Sequence, residues 1–522
     1  MLPLNSPAAS PAAFDASRPR VVGLMALALA LGIGFSQQLV PAYTVDLFYH
    51  LTVGDWILEH GAVPRVGIFS ATRDSAPWVD CEWGFQVLMT LVDRALGLPG
   101  LVITSALTVT GALLLLACAL RARGLSLPFV AFIVGAVALA LDPLSTRPQN
   151  LTYFFAAWYL FGLAQLLRDD RRAPCWHLPI AAALWVNCHA GFVIGWVVLA
   201  IPLVVEAAPL LIRRAPGRAA RRLALTLAGC IAVSFLNPYG WRQVIYPFLY
   251  ALDPALTSFN MEWESTVLAA LPRVAVLIAG CVAGFAASRG RVSGRDLCLF
   301  LAFCGLAITA RRHVGLALFV LAFSAAPALA IALRRAALWF AGRQSAGLAA
   351  STKPAVAVVA LLFVAQISLG RVPTAEALGY DPRVGLPITA AQFIADQQVP
   401  GVIFNEYRWG SFLMAAFAPN SRVFVDGRND LYGSAYMADY LHILDARRGF
   451  TELLDAHGVT VALLELNERN WRLLHLLVTS DWSCVHRSTA ASSAALVLMR
   501  NTPENAPWIE RFAEPLVIPL PP

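Results

Sequence analysis

The stretch VDLFYHLTVGDWILEHGAVP, Val45 to Pro64, follows within a few residues of an apolar run, Val21 to Val40, long enough to cross a membrane. It gathers Asp46, His50, Asp55, Glu59 and His60 where the chain first meets water. If the stretch is helical, Asp46, His50 and Gly54 fall at i, i+4 and i+8 along one face. Leu47, Leu51 and Leu58 then fall largely elsewhere, free to rest on the membrane. Gly61 and Pro64 end the helix. The pattern predicts a helix lying in the interface, with Gly54 leaving its polar face open to close approach by a ligand. Two readings stay open at this point: Asp46 caps the helix, or the polar face is a site.

The surrounding composition says what kind of chain carries this loop. Of 522 residues, 58% are hydrophobic and 14% charged, against about 25% charged in a soluble domain. That is too little charge to cover a soluble surface, so most of the chain belongs in lipid. The net charge of +7 does not point to nucleic acid, because the arginines come in short clusters between apolar runs, as topology signals do. The nine cysteines show no metal or disulfide spacing. Residues 1–20, rich in Ala, Pro and Ser, read as a disordered cytoplasmic tail, with no cleavable signal peptide.

Apolar runs recur near 21–40, 99–120, 127–141, 151–167, 178–188, 191–212, 223–236, 270–287, 297–310, 314–333 and 354–370. The fifth and sixth could form one broken helix pair around NCHAG, Asn187 to Gly191. With the amino terminus inside, the loops RPR (18–20), RAR (121–123), RDDRR (168–172), RRAPGRAARR (213–222), SRGRVSGR (288–295) and 334–353 all fall on the cytoplasmic side. This is the positive-inside pattern, and it places residues from about 371 onward outside the cytoplasm. The outer loops carry acids, histidines and a few arginines that break the rule: Asp46, His50, His60, Asp80, Glu82, Asp142, Arg147, His189, Glu262, Glu264, Arg311, Arg312 and His313. A topology signal needs only arginine; such a mixture on one face is better explained by a site. In FSATRDSAPWVDCEWG, Phe69 to Gly84, Trp78 and Trp83 flank Asp80 and Glu82, either as interface anchors or as a shelf for sugar.

The residues Asp46, Tyr49 and His50, Gly54 and Ile57, Pro64, Phe69 and Ser70, Trp78, Glu82 and Trp83 together resemble the first extracytoplasmic loop of GT-C superfamily glycosyltransferases, and most closely their bacterial members of unassigned substrate. Cys81 departs from the pattern, where His is common before Glu-Trp. The resemblance continues through TRPQN (146–150), LWVNCHAGF (184–192), LNPYGW (236–241), ARRHV (310–314), FNEYRWGSFL and VFVDGRNDLYG. The superfamily includes protein O-mannosyltransferases, lipid A aminoarabinose transferases and oligosaccharyltransferases. The resemblance implies an all-α polytopic domain of about eleven transmembrane helices over 21–371, with its first outer loop at 41–98, in the cell's inner (plasma) membrane. It implies a donor sugar on a polyprenyl-phosphate carrier, and Asp46 as the catalytic residue.

Glycosyl transfer needs a base, stabilisation of the leaving phosphate, and exclusion of water. Asp46 is the candidate base, with Glu82 assisting it or holding sugar hydroxyls. Arg147, Arg311 and Arg312 suit phosphate by their paired donors. His50, His189, His313 and Trp83 complete the expected substrate contacts. A divalent metal is left open, since no tight ligand motif supports one. The acceptor is a lipid, glycan or protein. Residues 372–522 predict a small extracytoplasmic α/β domain, with strands at 401–405, 422–427 and 459–466 and a final pair in CVHRS and AALVLMR. Within it DGRNDLYG (426–433) is expected to bind the acceptor or a partner or to cap the membrane site, unless Asp426 and Arg428 are a structural ion pair. The rival readings are a transporter or flippase of lipid-linked sugars, which should show inverted repeats and midplane charges, and a non-catalytic envelope assembly protein.

Overall fold

The computed structural model describes residues 18–42, 44, 46–168, 175–208, 218–253, 263–266, 272–288, 292–341, 378–379, 381, 384–420, 423–488 and 494–518. The tail at 1–17, the expected span at 354–370 and Glu262 lie outside them. Helices α1 (Arg18–Gln38), α2 (Asp46–His60), α3 (Trp83–Ala122), α4 (Leu127–Ala140), α5 (Gln149–Leu166), α6 (His177–Val186), α7 (Val193–Ala207), α8 (Arg218–Val233), α9 (Trp241–Leu252), α10 (Pro272–Ser288), α11 (Gly294–Thr309) and α12 (Val314–Ala341) build the apolar part. Among the described residues, four stretches are long and apolar enough to cross a membrane: Arg20–Gln38, Trp83–Ala122, Ala190–Ala207 and Arg311–Ala336. Leu127–Ala140, His177–Val186 and Val274–Ser288 are apolar but shorter. Helix length thus supports a polytopic chain and does not by itself reach eleven spans. The break expected at NCHAG is present: α6 stops at Val186, and a 3-10 turn at Ala190–Phe192 leads into α7.

The helices pack α3 on α5, α1 on α4 and α10 on α12, around buried Val109, Leu113, Tyr159, Leu160 and Phe319. Met25, Leu107, Val204, Leu225, Val276 and Leu301 point outward and are exposed. A soluble protein rarely presents so much contiguous apolar surface; acyl chains satisfy it. Helix α3 begins well before the expected run at 99. Gly97 interrupts it with φ 64°, and Pro99 opens the membrane-facing half. The expected loop 41–98 therefore ends in a helix, Trp83 to Leu96, laid against α2.

That packing corrects the reading of α2. The helix forms as predicted, but Leu47 is buried against Phe85, Met89 and Leu101 rather than resting on lipid. Gly54 is open to a helix, not to a ligand: a Cβ there would meet Thr90 Oγ1 at 2.2 Å and the Gln86 carbonyl at 2.6 Å. Thr90 Oγ1 donates to the Leu51 carbonyl at 3.2 Å across the same contact.

Beyond residue 384 the chain forms α13 (Ile388–Asp396), β1 (Val402–Asn405), α14 (Gly410–Phe417), α15 (Asn429–Leu444), α16 (Phe450–Ala456), β2 (Val459–Glu465), α17 (Trp471–Val478), β3 (Trp482–Arg487), β4 (Ala495–Arg500) and α18 (Ala506–Phe512). The sheet order is β1-β2-β4-β3, with β1 and β2 parallel and the other pairs antiparallel. The strand expected at 422–427 is not one among the described residues. Val423 makes only isolated bridges, to Ser70 and Ile403. The Asn405 amide takes the place of a ladder there, donating to the Val425 carbonyl and accepting from Phe424 N, both at 2.9 Å. This region and the first outer loop share one core: Tyr49, Val53, Ile57 and Trp78 are buried together with Phe404, Trp409, Phe424 and Tyr432.

Candidate active site

Asp46 opens α2, and its own N–H donates to Thr44 Oγ1 at 3.4 Å. Glu82 stands at the N-cap of α3, where the Asp80 carboxylate accepts from Glu82 N at 3.2 Å and from Gln86 Nε2 at 2.9 Å. Asp80 so fixes the end of α3. The helix contact at Gly54 brings these two ends together. Tyr49, one turn along α2, donates its hydroxyl to Glu82 Oε2 at 2.9 Å.

Two histidines face the same carboxyl. His50 Nε2 lies 3.9 Å from Glu82 Oε2, and His189 Nε2 lies 3.8 Å from Oε1. Both distances exceed a hydrogen bond. Burial, reinforced by Arg147 at His50 and by Arg312 at His189, pushes both imidazoles down to about 3, so both are neutral. The tautomer of His189 follows from its partners. Its Nδ1 accepts from Gly191 N at 3.1 Å and lies 2.7 Å from Thr152 Oγ1, which itself accepts from Trp185 Nε1. A backbone N–H can only donate, so Nδ1 is an acceptor and the proton sits on Nε2, toward Glu82.

Glu82 itself is pushed up to about 8, first by burial, with Asp80, Asp430 and Asp46 adding to it and the Tyr49 hydroxyl opposing. At neutral pH it carries a proton. Asp46 is also raised by burial, but Arg147 is its strongest opposing influence, ahead of the Thr44 contact, while Asp426 adds to the rise. The environments of the two carboxyls thus differ: Glu82 has other acids around it, and Asp46 has a cation beside it.

Arg147 and Arg312 arrive from two sides. Arg147 lies in the turn before α5, and its charge reaches Asp46 and His50. Arg312 lies in the 3-10 turn Arg311–His313 that opens α12, stacks on Trp263 at 4.7 Å, and is within electrostatic reach of Glu82 and Arg147. Two guanidiniums placed this close repel each other and favour an anion between them. Arg311 stands apart from the site: it is exposed, and its N–H donates to the Glu264 carbonyl at 3.1 Å. His313 turns to Thr309 Oγ1 at 3.1 Å and to the Trp263 ring. Trp83 is held by Asn187 Oδ1 at 2.9 Å. Trp78 is neither an interface anchor nor a sugar shelf: it is buried, donates to Asp430 at 3.1 Å and lies under the Arg428 guanidinium.

The carboxy-terminal segment DGRNDLYG, expected to bind an acceptor or partner or to cap the membrane site, or else to hold an ion pair, lies beside Asp46. Asp426 and Arg428 form a buried two-point ion pair at 2.7–2.8 Å, with the Tyr432 hydroxyl donating to the same carboxylate. This is the structural alternative, and the loop it stiffens lies directly on Asp46. Asp430, pushed up to about 6 by burial, and Tyr407 also face the site. Among the described residues no three His, Cys, Asp or Glu side chains are placed to share a metal ion.

With this geometry in hand, comparison with known proteins places the fold. The oligosaccharyltransferase of Archaeoglobus fulgidus, solved with a tethered acceptor peptide, matches with a TM-score of 0.59 at 11% identity, over 94% of this chain and 75% of that one. Its complex with an inhibitory peptide and a dolichol-phosphate matches at 0.58 and 12%, with the same coverage. ArnT from Cupriavidus metallidurans bound to undecaprenyl phosphate matches at 0.51 and 15%, over 94% of this chain and 99% of that one. Both are GT-C glycosyltransferases, and the fold of this chain is the GT-C fold. No protein-family model matches the sequence, and no curated protein does.

Proposed function

We propose that the protein is a membrane glycosyltransferase that moves a sugar from a polyprenyl-phosphate carrier to an acceptor at the outer face, with Asp46 as the base. The observation that carries this reading is the meeting of Asp46, protonated Glu82, Arg147 and Arg312 at helix ends, in a fold shared with enzymes whose structures hold dolichol-phosphate and undecaprenyl phosphate. Arg147 and Arg312 would grip the carrier phosphate and stabilise it as it leaves. Asp46 would take the acceptor proton as the acceptor oxygen bonds to the anomeric carbon and the sugar–phosphate bond breaks. Glu82 and the Nε2–H of His189 would donate to sugar oxygens. The test is loss of sugar from polyprenyl-phosphate sugars extracted from the producing cells, with Asp46→Asn protein as the comparison. Turnover by that variant at the wild-type rate contradicts the reading.

The charge pattern orients this site. A reporter active only in the cytoplasm, fused after Pro522, is expected to be silent, because the one-sided arginine loops put the carboxy-terminal region outside. Reporter activity there would reverse the orientation.

Glu82 gives a pH signature. A donor raised to about 8 is present below that pH and lost above it, so kcat/KM should fall as pH rises through about 8. Glu82→Gln keeps a donor that does not ionise. It should retain activity within about tenfold, the worth of one neutral hydrogen bond, and lose the alkaline limb. An unchanged limb in that variant would assign the limb to another group.

A further inference from the structure

We propose that Gly427 is a positioning residue for Asp46: the loop Asp426–Arg428 closes on the carboxylate so tightly that a Cβ there would displace it, and this contact fixes where the base sits. The inference rests on the reading of Asp46 as the base. A Cβ at Gly427 would lie 2.5 Å from Asp46 Oδ1, 3.5 Å from its Cγ and 3.2 Å from Ser411 Oγ. Backbone conformation is not the reason for glycine, since Gly427 is not among the residues with positive φ. The reason is the space that the carboxylate occupies.

The loop is built to hold its place. Arg428 grips both oxygens of Asp426 and donates from N to Oδ1 at 3.0 Å. Its remaining arm donates to the Ile68 carbonyl at 2.8 Å, and its plane covers Trp78. Gly427 N donates to the buried Ser411 hydroxyl at 3.4 Å. Arg73 donates to the Tyr432 carbonyl at 3.0 Å, and Thr72 Oγ1 lies 2.7 Å from the Tyr436 hydroxyl, so the outer loop and the carboxy-terminal region are tied to each other. Asp46 is thus bounded by Gly427 on one side and by Thr44 at its own N–H, with the charges of Arg147 and Asp426 within reach. A carboxylate held this way keeps its reach to the acceptor; displaced by about 1 Å, it loses rate on the order of 10²-fold.

The test is Gly427→Ala. Its two close contacts are with side-chain ends, so the backbone need not shift and the protein should fold. Extracted polyprenyl-phosphate sugars serve as donor, undecaprenyl phosphate as the binding probe, and Asp46→Asn as the reference. The expected result is a fall in kcat of about 10- to 100-fold, undecaprenyl phosphate affinity within twofold of wild type, and an acid limb of kcat moved to lower pH as the carboxylate is pushed toward water. A merely structural glycine would leave that limb in place. Wild-type kcat in Gly427→Ala with an inactive Asp46→Asn overturns the positioning role and leaves Asp46 as base. An active Asp46→Asn overturns both. A matching loss of undecaprenyl phosphate affinity overturns the positioning role as well. If Gly427→Ala does not fold, Gly427→Ala combined with Asp46→Ala decides: recovery of folding shows the collision is with Asp46, and continued failure overturns it.

Discussion

Replacing Asp46 with Asn is expected to lower the transfer rate by about 10²–10⁴, the usual cost of losing a general base, while folding and carrier binding stay near wild type. Asn preserves the shape and hydrogen-bonding reach of the side chain, and it caps a helix about as well as Asp. If Asp46 only capped α2, the change would be nearly silent. The structure sharpens this contrast. The carboxylate lies against Gly427 and within reach of the Arg147 charge, with its N–H on Thr44; Asn fits the same space and loses only the capacity to accept the proton. Because Glu82 is held up to about 8 and carries a proton at neutral pH, it is not a ready substitute base, so residual activity should be small.

Arg147→Ala and Arg312→Ala are each expected to weaken undecaprenyl phosphate binding by about 10- to 100-fold, from about 1.5–3 kcal/mol per charge-assisted hydrogen bond. Lys at either position should recover only part, because an ammonium cannot form the paired contact of a guanidinium. Arg311→Ala is the internal control. It neighbours Arg312 in sequence, yet its side chain is exposed, and binding should not change. Titration of purified protein with undecaprenyl phosphate measures all of these. Equal losses at 311 and 312 would point to diffuse surface charge, and no loss at 147 and 312 would remove both from the phosphate site.

Much of this site was legible in the sequence because its parts break local rules. Arg147 and Arg312 stand where the positive-inside pattern disfavours arginine, and Asp46 and His50 repeat at helical spacing beside a span. Such departures need a reason, and the structure brings these residues to one place. Arg311 and Arg312 could not be told apart, because a single step around a 3-10 turn sends neighbouring side chains in different directions. Gly54 was misread for a related reason: a gap on a helix face shows that something approaches closely, not whether it is a ligand or another helix. The extent of α3 was hidden by Gly97 and Pro99, which mark a kink as readily as an end. Tyr49 was visible only as part of a pattern; its hydroxyl matters because α2 and α3 cross at Gly54. The role of Gly427 was not readable at all, since it depends on a contact across some 380 residues of chain (427 less 46). The strand predicted at 422–427 is not formed: the consecutive Val423, Phe424 and Val425 are buried in the core shared with the outer loop, and the Asn405 side chain replaces the ladder.

The most direct measurement of the central claim is the mass of the lipid that copurifies with the protein, for wild type and for Asp46→Asn. The account predicts a polyprenyl-phosphate sugar in both, enriched in the variant, which binds the donor but does not consume it. Its loss in Arg147→Ala/Arg312→Ala protein would tie it to the site. Absence of any such lipid from wild type and variant alike, in folded protein that also fails to bind added undecaprenyl phosphate, would contradict the account.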